Sequence, residues 1–146
     1  GPLEPLVKDA VSNHAHVHFQ AAVPYTEVLD YTSDADVGLV SVRPVCLSYL
    51  YCLPNKLFES IQAGIPVLVN DLPDCVSLIN KYGIGAKVEG EEPGNWFRAI
   101  SRASTKKPAW KKQAHSNILH AQTDLNWGKE SQILVELYNR VGLAAN

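Results

Sequence analysis

The chain contains no methionine, only three cysteines, and no apolar run that approaches the ~20 residues needed for a helix to cross a bilayer. Cys46, Cys52 and Cys75 are odd in number and irregular in spacing, and no CxxC pair occurs. Neither a disulfide framework nor a zinc site is therefore indicated. Reduced thiols and a cytoplasmic location are the expectation. The N-terminus has none of the charged, apolar and small-residue succession of a signal peptide. No Gly-x-Ser-x-Gly elbow, phosphate loop or dinucleotide glycine fingerprint is present. The net charge of −2 supplies no basic excess for nucleic acid, so none is expected as a partner. The one basic run, Lys106, Lys107, Lys111 and Lys112, reads as a solvated helix face rather than a phosphate or anionic-lipid patch. The missing methionine, with an opening where a Gly-Pro turn should already follow a strand, leads us to expect the C-terminal piece of a longer protein. A protease scar at Gly1-Pro2 is an alternative that stays open.

At 146 residues, with 46% apolar and 19% charged side chains, the chain has the size and composition of one globular domain with a real core. Four short runs rich in branched residues predict buried parallel strands: His16–Gln20, Val37–Val42, Pro66–Asn70 and Ala86–Glu89. Helical patterns over Glu4–Ser12, Tyr25–Ser33, Asn55–Ala63 and Asp74–Lys81 alternate with them. That alternation predicts a doubly wound, Rossmann-like α/β fold with a parallel sheet. Gly64 and Gly83 stand where left-handed residues stop helices, and Asp74 stands where it would cap one after Pro73. Helices over Asn95–Ala103, Pro108–His120 and Trp127–Val141 follow, and are expected to pack on the sheet. In the last, Ile133, Leu134, Leu137, Tyr138 and Val141 recur at helical spacing.

The densest chemical signal is Leu53-Pro54-Asn55-Lys56-Leu57-Phe58-Glu59, continuing through Ser60-Ile61-Gln62-Ala63 to Gly64 and the strand behind it. It reads as a loop, a short helix with one carboxylate in its first turns, a glycine stop and a buried strand. A helix N-terminus offers unpaired N–H groups and a positive dipole end to an anion. Glu59, about one turn inside, adds an acceptor beside that end. The combination suits a ligand carrying both a diphosphate and a diol, such as a nucleotide sugar.

This segment resembles the donor-binding motif of retaining, group-1 type glycosyltransferases with the GT-B fold, in particular bacterial polysaccharide-assembly members whose helix opens Pro-Asn-Lys-x-Phe-Glu. The resemblance covers nearly the whole chain. Gly1-Pro2-Leu3 is similar to the end of their Gly-x-Gly-Pro turn. Phe19 to Pro24, Glu27-Val28-Leu29 and Ala35-Asp36-Val37-Gly38-Leu39 are similar to their next βαβ unit, and Asn126-Trp127 with Leu134, Leu137 and Tyr138 to their closing helix. It implies that residues 1–146 are a single, partial C-terminal donor-binding domain. The activity implied for the full-length protein is transfer of a hexose-type sugar from a UDP- or GDP-linked donor to a glycan or lipid-linked acceptor.

Peripheral membrane association of the full-length protein is a further implied partner interaction; no cofactor or metal is implied. By this resemblance Glu59 accepts hydrogen bonds from ribose hydroxyls. Main-chain amides around Lys56 and Leu57 approach the diphosphate, Leu53, Pro54 and Asn55 border the transferred sugar, and Val23 meets the nucleobase. The family's broader pattern pairs two glutamates, and the partner of Glu59 would fall at Tyr51. Tyr51 is then a sugar-stacking or hydroxyl-bonding candidate, as well as an ordinary loop residue. The catalytic residues are not identified. The missing acceptor domain, and the basic pair that neutralises the departing diphosphate, imply that the fragment alone is inactive.

Each residue also has a plainer reading. Glu59 can pair with Lys56 at i−3, Asn55 can serve only as an N-cap, and Val23 can cover the sheet edge. His14, His16 and His18 alternate and would share a strand face. With no acidic or cysteine partner they read as surface or core histidines rather than metal ligands. His115 and His120 are one residue too far apart for a zinc helix. Glu89, Glu91 and Glu92 read as a strand end entering a solvated turn. Two rival functions stay open: a sugar-nucleotide 2-epimerase of the same fold, and a non-enzymatic α/β interaction module resembling a signalling receiver.

Overall fold

The computed structural model describes residues 3–105 and 107–144. It is a mixed α/β domain built on an open three-stranded parallel sheet. The strands are β1 (Gly38–Val40), β2 (Val67–Val69) and β3 (Gly85–Lys87), in the order β1-β2-β3. The register pairs Gly38 with Val67, and Val67 with Gly85. The helices are α1 (Glu4–Asn13), α2 (Val28–Ser33, preceded by a 3-10 turn at Tyr25–Glu27), α3 (Leu47–Leu50), α4 (Asn55–Gln62), α5 (Pro73–Tyr82), α6 (Pro93–Thr105), α7 (Lys107–Asp124) and α8 (Trp127–Ala144).

Close approach of backbone explains two glycines. A Cβ at Gly38 would collide with the Ser60 hydroxyl of α4, and one at Gly85 with the Val67 carbonyl. Helix α4 and β3 can therefore press directly onto their neighbouring strands. Val40, Val67 and Val69 meet Leu57 and Ile61 of α4, Cys75 and Ile79 of α5, and Ala114, Ile118 and Ala121 of α7 in one buried cluster. Gly64 (φ 79°) and Gly83 (φ 65°) end α4 and α5 in left-handed backbone, as expected of their positions.

Several expectations are corrected. His16–Gln20 forms no strand: it is irregular chain, opened by a turn in which Val17 N–H donates to His14 O at 2.9 Å. His16, Val17 and His18 are exposed, and no neighbouring strand supplies the ladder that extended backbone needs. The sheet of the described residues thus has three strands, not four. A short helix, α3, not expected from the sequence, precedes Tyr51. Asp74 caps nothing; Pro73 takes the first helical position after the extended Leu72, which puts Asp74 inside the first turn. The terminal helices divide. The middle of α7 packs into the core, whereas every member of the α8 stripe is exposed, from Leu134 at 42% to Tyr138 at 70%. Of the basic run, Lys106 lies outside the described residues, as do Gly1 and Pro2; Lys107, Lys111 and Lys112 belong to α7, and Lys112 is exposed.

Beyond the α8 stripe, β1 and β3 are both edge strands and Leu39 on β1 is 44% exposed. Unpaired edges and uncovered apolar surface favour association. The expected result is a concentration-dependent mass above that of one chain in light scattering. A monodisperse monomer at all concentrations would contradict it.

Candidate functional site

Helix α4 fixes the site because its two faces are chemically different. Leu57, Ser60 and Ile61 are buried against the sheet. The opposite face carries Asn55, Phe58, Glu59 and Gln62 at i, i+3, i+4 and i+7, and all four line an open crevice of about 780 Å³. Tyr25 and Leu29 bring the 3-10 turn and α2 to it, and Leu78 comes from α5. Leu125, Asn126, Trp127 and Glu130 come from the α7–α8 junction, and Leu53 from the loop before α4. Tyr25 and Trp127 are 81% and 73% exposed, leaving much of both rings available to a ligand.

The junction is held in place by amide side chains. Gln122 donates through Nε2 to the carbonyls of Ile61 (2.9 Å) and Gln62 (3.0 Å), and Gln62 Nε2 donates to Leu125 O at 2.8 Å. The bond to Gln62 O satisfies a carbonyl at the end of α4, while Ile61 O also accepts from Gly64 N–H, and the bond to Leu125 O ties α4 to the end of α7. Asn126 Oδ1 accepts from Lys129 N–H at 3.1 Å and so caps α8, fixing where Trp127 and Glu130 begin.

Of the residues expected at a site, Glu59, Asn55 and Leu53 line the crevice; Lys56, Leu57, Pro54, Tyr51 and Val23 are not among its lining. Pro54 is the N-cap residue of α4 in extended conformation (φ −73°, ψ 149°), which makes Asn55 the first helical residue rather than the cap. No side chain caps this end. Leu57 is fully buried, and its N–H donates to Pro54 O at 2.9 Å. The N–H groups of Asn55 and Lys56 have no backbone acceptor among the described residues. Lys56 is exposed beside them, Tyr51 is an exposed residue at the end of α3, and Val23 is half-buried.

Among the described residues, the Glu59 side chain has no hydrogen-bond or ion-pair partner, so the expected alternative of pairing with Lys56 does not occur. The carboxylates of Glu59 and Glu130 are the charged groups of the crevice; no described lysine or arginine lines it. Phosphate groups are therefore disfavoured inside and better placed at the start of α4, where the N–H groups of Asn55 and Lys56 have no backbone acceptor among the described residues. The interior offers aromatic and aliphatic faces with acceptors, which suits uncharged rings bearing hydroxyls.

Sequence reasoning missed Phe58, Gln62, Tyr25, Trp127, Glu130 and the bracing Gln122. Phe58 and Gln62 were within reach, since they share the Asn55–Glu59 helix face. Tyr25 and Trp127 reach the crevice only through tertiary packing. Among the described residues no group of three or more His, Cys, Asp or Glu side chains is placed to hold a metal ion. No described helix is long and apolar enough to cross a membrane.

Cys75, on the α5 face behind the crevice, is fully buried and its thiol donates to Cys52 O at 3.3 Å. Burial first, then the neighbouring Cys52 and Asp74, pushes the thiol up to about 11. The folded state keeps its proton in a range where the unfolded chain releases it. Stability from this group is therefore full below pH 9 and falls as pH rises towards 11, by about 2 kcal/mol. Denaturant unfolding at pH 8 and at pH 10.5, compared with Cys75→Ala, should show a steeper loss in the wild-type chain. Equal slopes would contradict the assignment.

Comparison of the chain with models of protein families, with curated protein sequences and with solved structures gives no match.

Proposed function

We propose that the chain is the nucleotide-sugar-binding portion of a glycosyltransferase that moves a hexose-type sugar to a glycan or lipid-linked acceptor. The observation carrying this reading is the Glu59 carboxylate, which has no partner among the described residues and faces a crevice one turn inside a helix start that no side chain caps. In this reading Glu59 accepts from the ribose diol, and the diphosphate lies outside the crevice on the Asn55 and Lys56 amides. Tyr25 and Trp127 cover the base or the sugar ring. The finer architecture, a partial GT-B C-terminal domain with a doubly wound sheet, belongs to the same proposal. The missing acceptor domain and a cytoplasmic setting complete it.

Catalysis of sugar transfer demands positive charge at the departing diphosphate, since stabilising developing charge is usually the largest catalytic contribution. Among the described residues Lys56 is the cation next to that helix start in sequence, and in this reading the chain by itself binds donor without transferring sugar. Calorimetric titration with UDP- and GDP-linked hexoses tests the binding. Saturable uptake of one of them supports the reading; heats of dilution only, with both, would contradict it.

One observation favours a second reading, a non-enzymatic interaction module: the uncovered apolar stripe of α8. A module of that kind would bind a protein partner through α8 and would be indifferent to Glu59→Gln.

A further inference from the structure

A second, smaller crevice of about 230 Å³ lies where all three strands deliver their carboxyl ends, and it shares no lining residue with the larger one. Ser41 and Arg43 follow β1, Asn70 follows β2, and Glu91, Glu92 and Trp96 follow β3. Open α/β sheets bind ligands outside this edge.

Asn70 is the distinctive residue. It is only 5% exposed, yet it lines the crevice. Its N–H donates to Val40 O at 3.2 Å, its carbonyl accepts from Leu72 N–H at 2.8 Å, and Oδ1 accepts from Val42 N–H at 2.7 Å. The last bond fixes which way the amide points: oxygen inward, nitrogen outward. Nδ2 has no acceptor among the described residues, and no fully enclosed side-chain nitrogen or oxygen of those residues lacks a partner. The donor therefore opens on the crevice. A nearly buried asparagine, its backbone held by two bonds and its side-chain amide oriented by a third, with one donor presented outward, is a built recognition element.

The groups around it select the ligand. Arg43 donates and is paired with Glu91 at 3.5 Å; Glu91 and Glu92 accept; Trp96 offers an aromatic surface. An anion would meet the two carboxylates, and a cation would meet Arg43. A neutral ring with hydroxyls on several sides satisfies donors and acceptors together. The volume is below the roughly 300–1,000 Å³ of sites for drug-sized ligands, which restricts the occupant to a single ring. We infer that the crevice at the strand carboxyl ends is a binding site for one pyranose ring, recognised by the Asn70 amide, Arg43, Glu91, Glu92 and Trp96. It is independent of the nucleotide reading, and either can fail alone.

The probes are the methyl α-D-pyranosides of glucose, galactose and mannose at millimolar concentrations, added to the ¹⁵N-labelled chain. The Trp96 indole and Asn70 side-chain amide signals are followed. The expected result is a saturable shift of both signals with at least one sugar. Arg43→Gln, a change at an exposed side chain, should weaken it about tenfold by removing a charged donor. Asn70→Asp keeps the acceptor for Val42 N–H while losing the outward donor, and should weaken it similarly; Trp96→Ala should do the same from the other wall. No saturable shift with any of the three sugars would overturn the inference. So would equal affinity in Arg43→Gln and Trp96→Ala, or the same shifts produced by glycerol.

Discussion

Leu57→Ala should cost about 2–5 kcal/mol of unfolding free energy, the range for truncating a large buried aliphatic side chain and leaving a cavity. Leu57 is completely buried among Val40, Val67 and Ile61, at the point where α4 meets the sheet. Collapse around a cavity there is restricted. Ser60 of α4 already abuts Gly38, so the helix cannot move closer to β1. The cost should accordingly fall towards the upper half of the range. The substitution also loosens the helix that aims Asn55 and Glu59, so ligand affinity should fall with stability. Chemical denaturation of the two chains measures the first effect. A loss below about 1 kcal/mol would mean that α4 is not anchored through this residue.

Glu59→Gln should act on the ligand alone. Glu59 is half-exposed and makes no side-chain bond among the described residues, so its replacement by an amide of the same shape leaves the fold intact. Under the nucleotide-sugar reading the change removes hydrogen bonds from a diol to a charged acceptor, worth about 1.5–3 kcal/mol. Affinity for a nucleoside diphosphate should drop more than tenfold, with unfolding unchanged within about 0.5 kcal/mol. Binding that is indifferent to the substitution would reject the ribose role and favour the interaction-module reading.

How far the sequence could be read varied with how local each determinant is. The run at Pro66–Asn70 signalled a strand because a central parallel strand is apolar on both faces, and β2 is buried throughout, whereas Val37–Val42 and Ala86–Glu89 form the partly exposed edge strands. The observed ladders are three residues each, shorter than the runs, since pairing stops where the chain diverges. His16–Gln20 showed that alternation is not sufficient: extended backbone also needs a neighbour. Pro54 and Pro73 decided the starts of α4 and α5, displacing the capping roles expected of Asn55 and Asp74 by one or two positions. The α8 stripe has helical period and forms a helix, but periodicity says nothing of what an apolar face packs against. One wall of the main crevice was legible as the Asn55–Glu59 face of α4. The opposing wall was not, because Tyr25 and Trp127 are brought there by contacts remote in sequence. The Asn70 amide was invisible for the same reason, since its role depends on Val42 N–H across the sheet.

The central claim is that the start of α4 and Glu59 together hold a nucleotide sugar. Backbone amide shift mapping of the ¹⁵N-labelled chain with UDP-glucose, and separately with GDP-mannose, tests it most directly. The account predicts saturable shifts concentrated at Asn55, Lys56 and Glu59, with accompanying change of the Trp127 indole signal, for one of the two ligands. Saturable shifts centred on α8 or on β3, or none with either ligand, would contradict it.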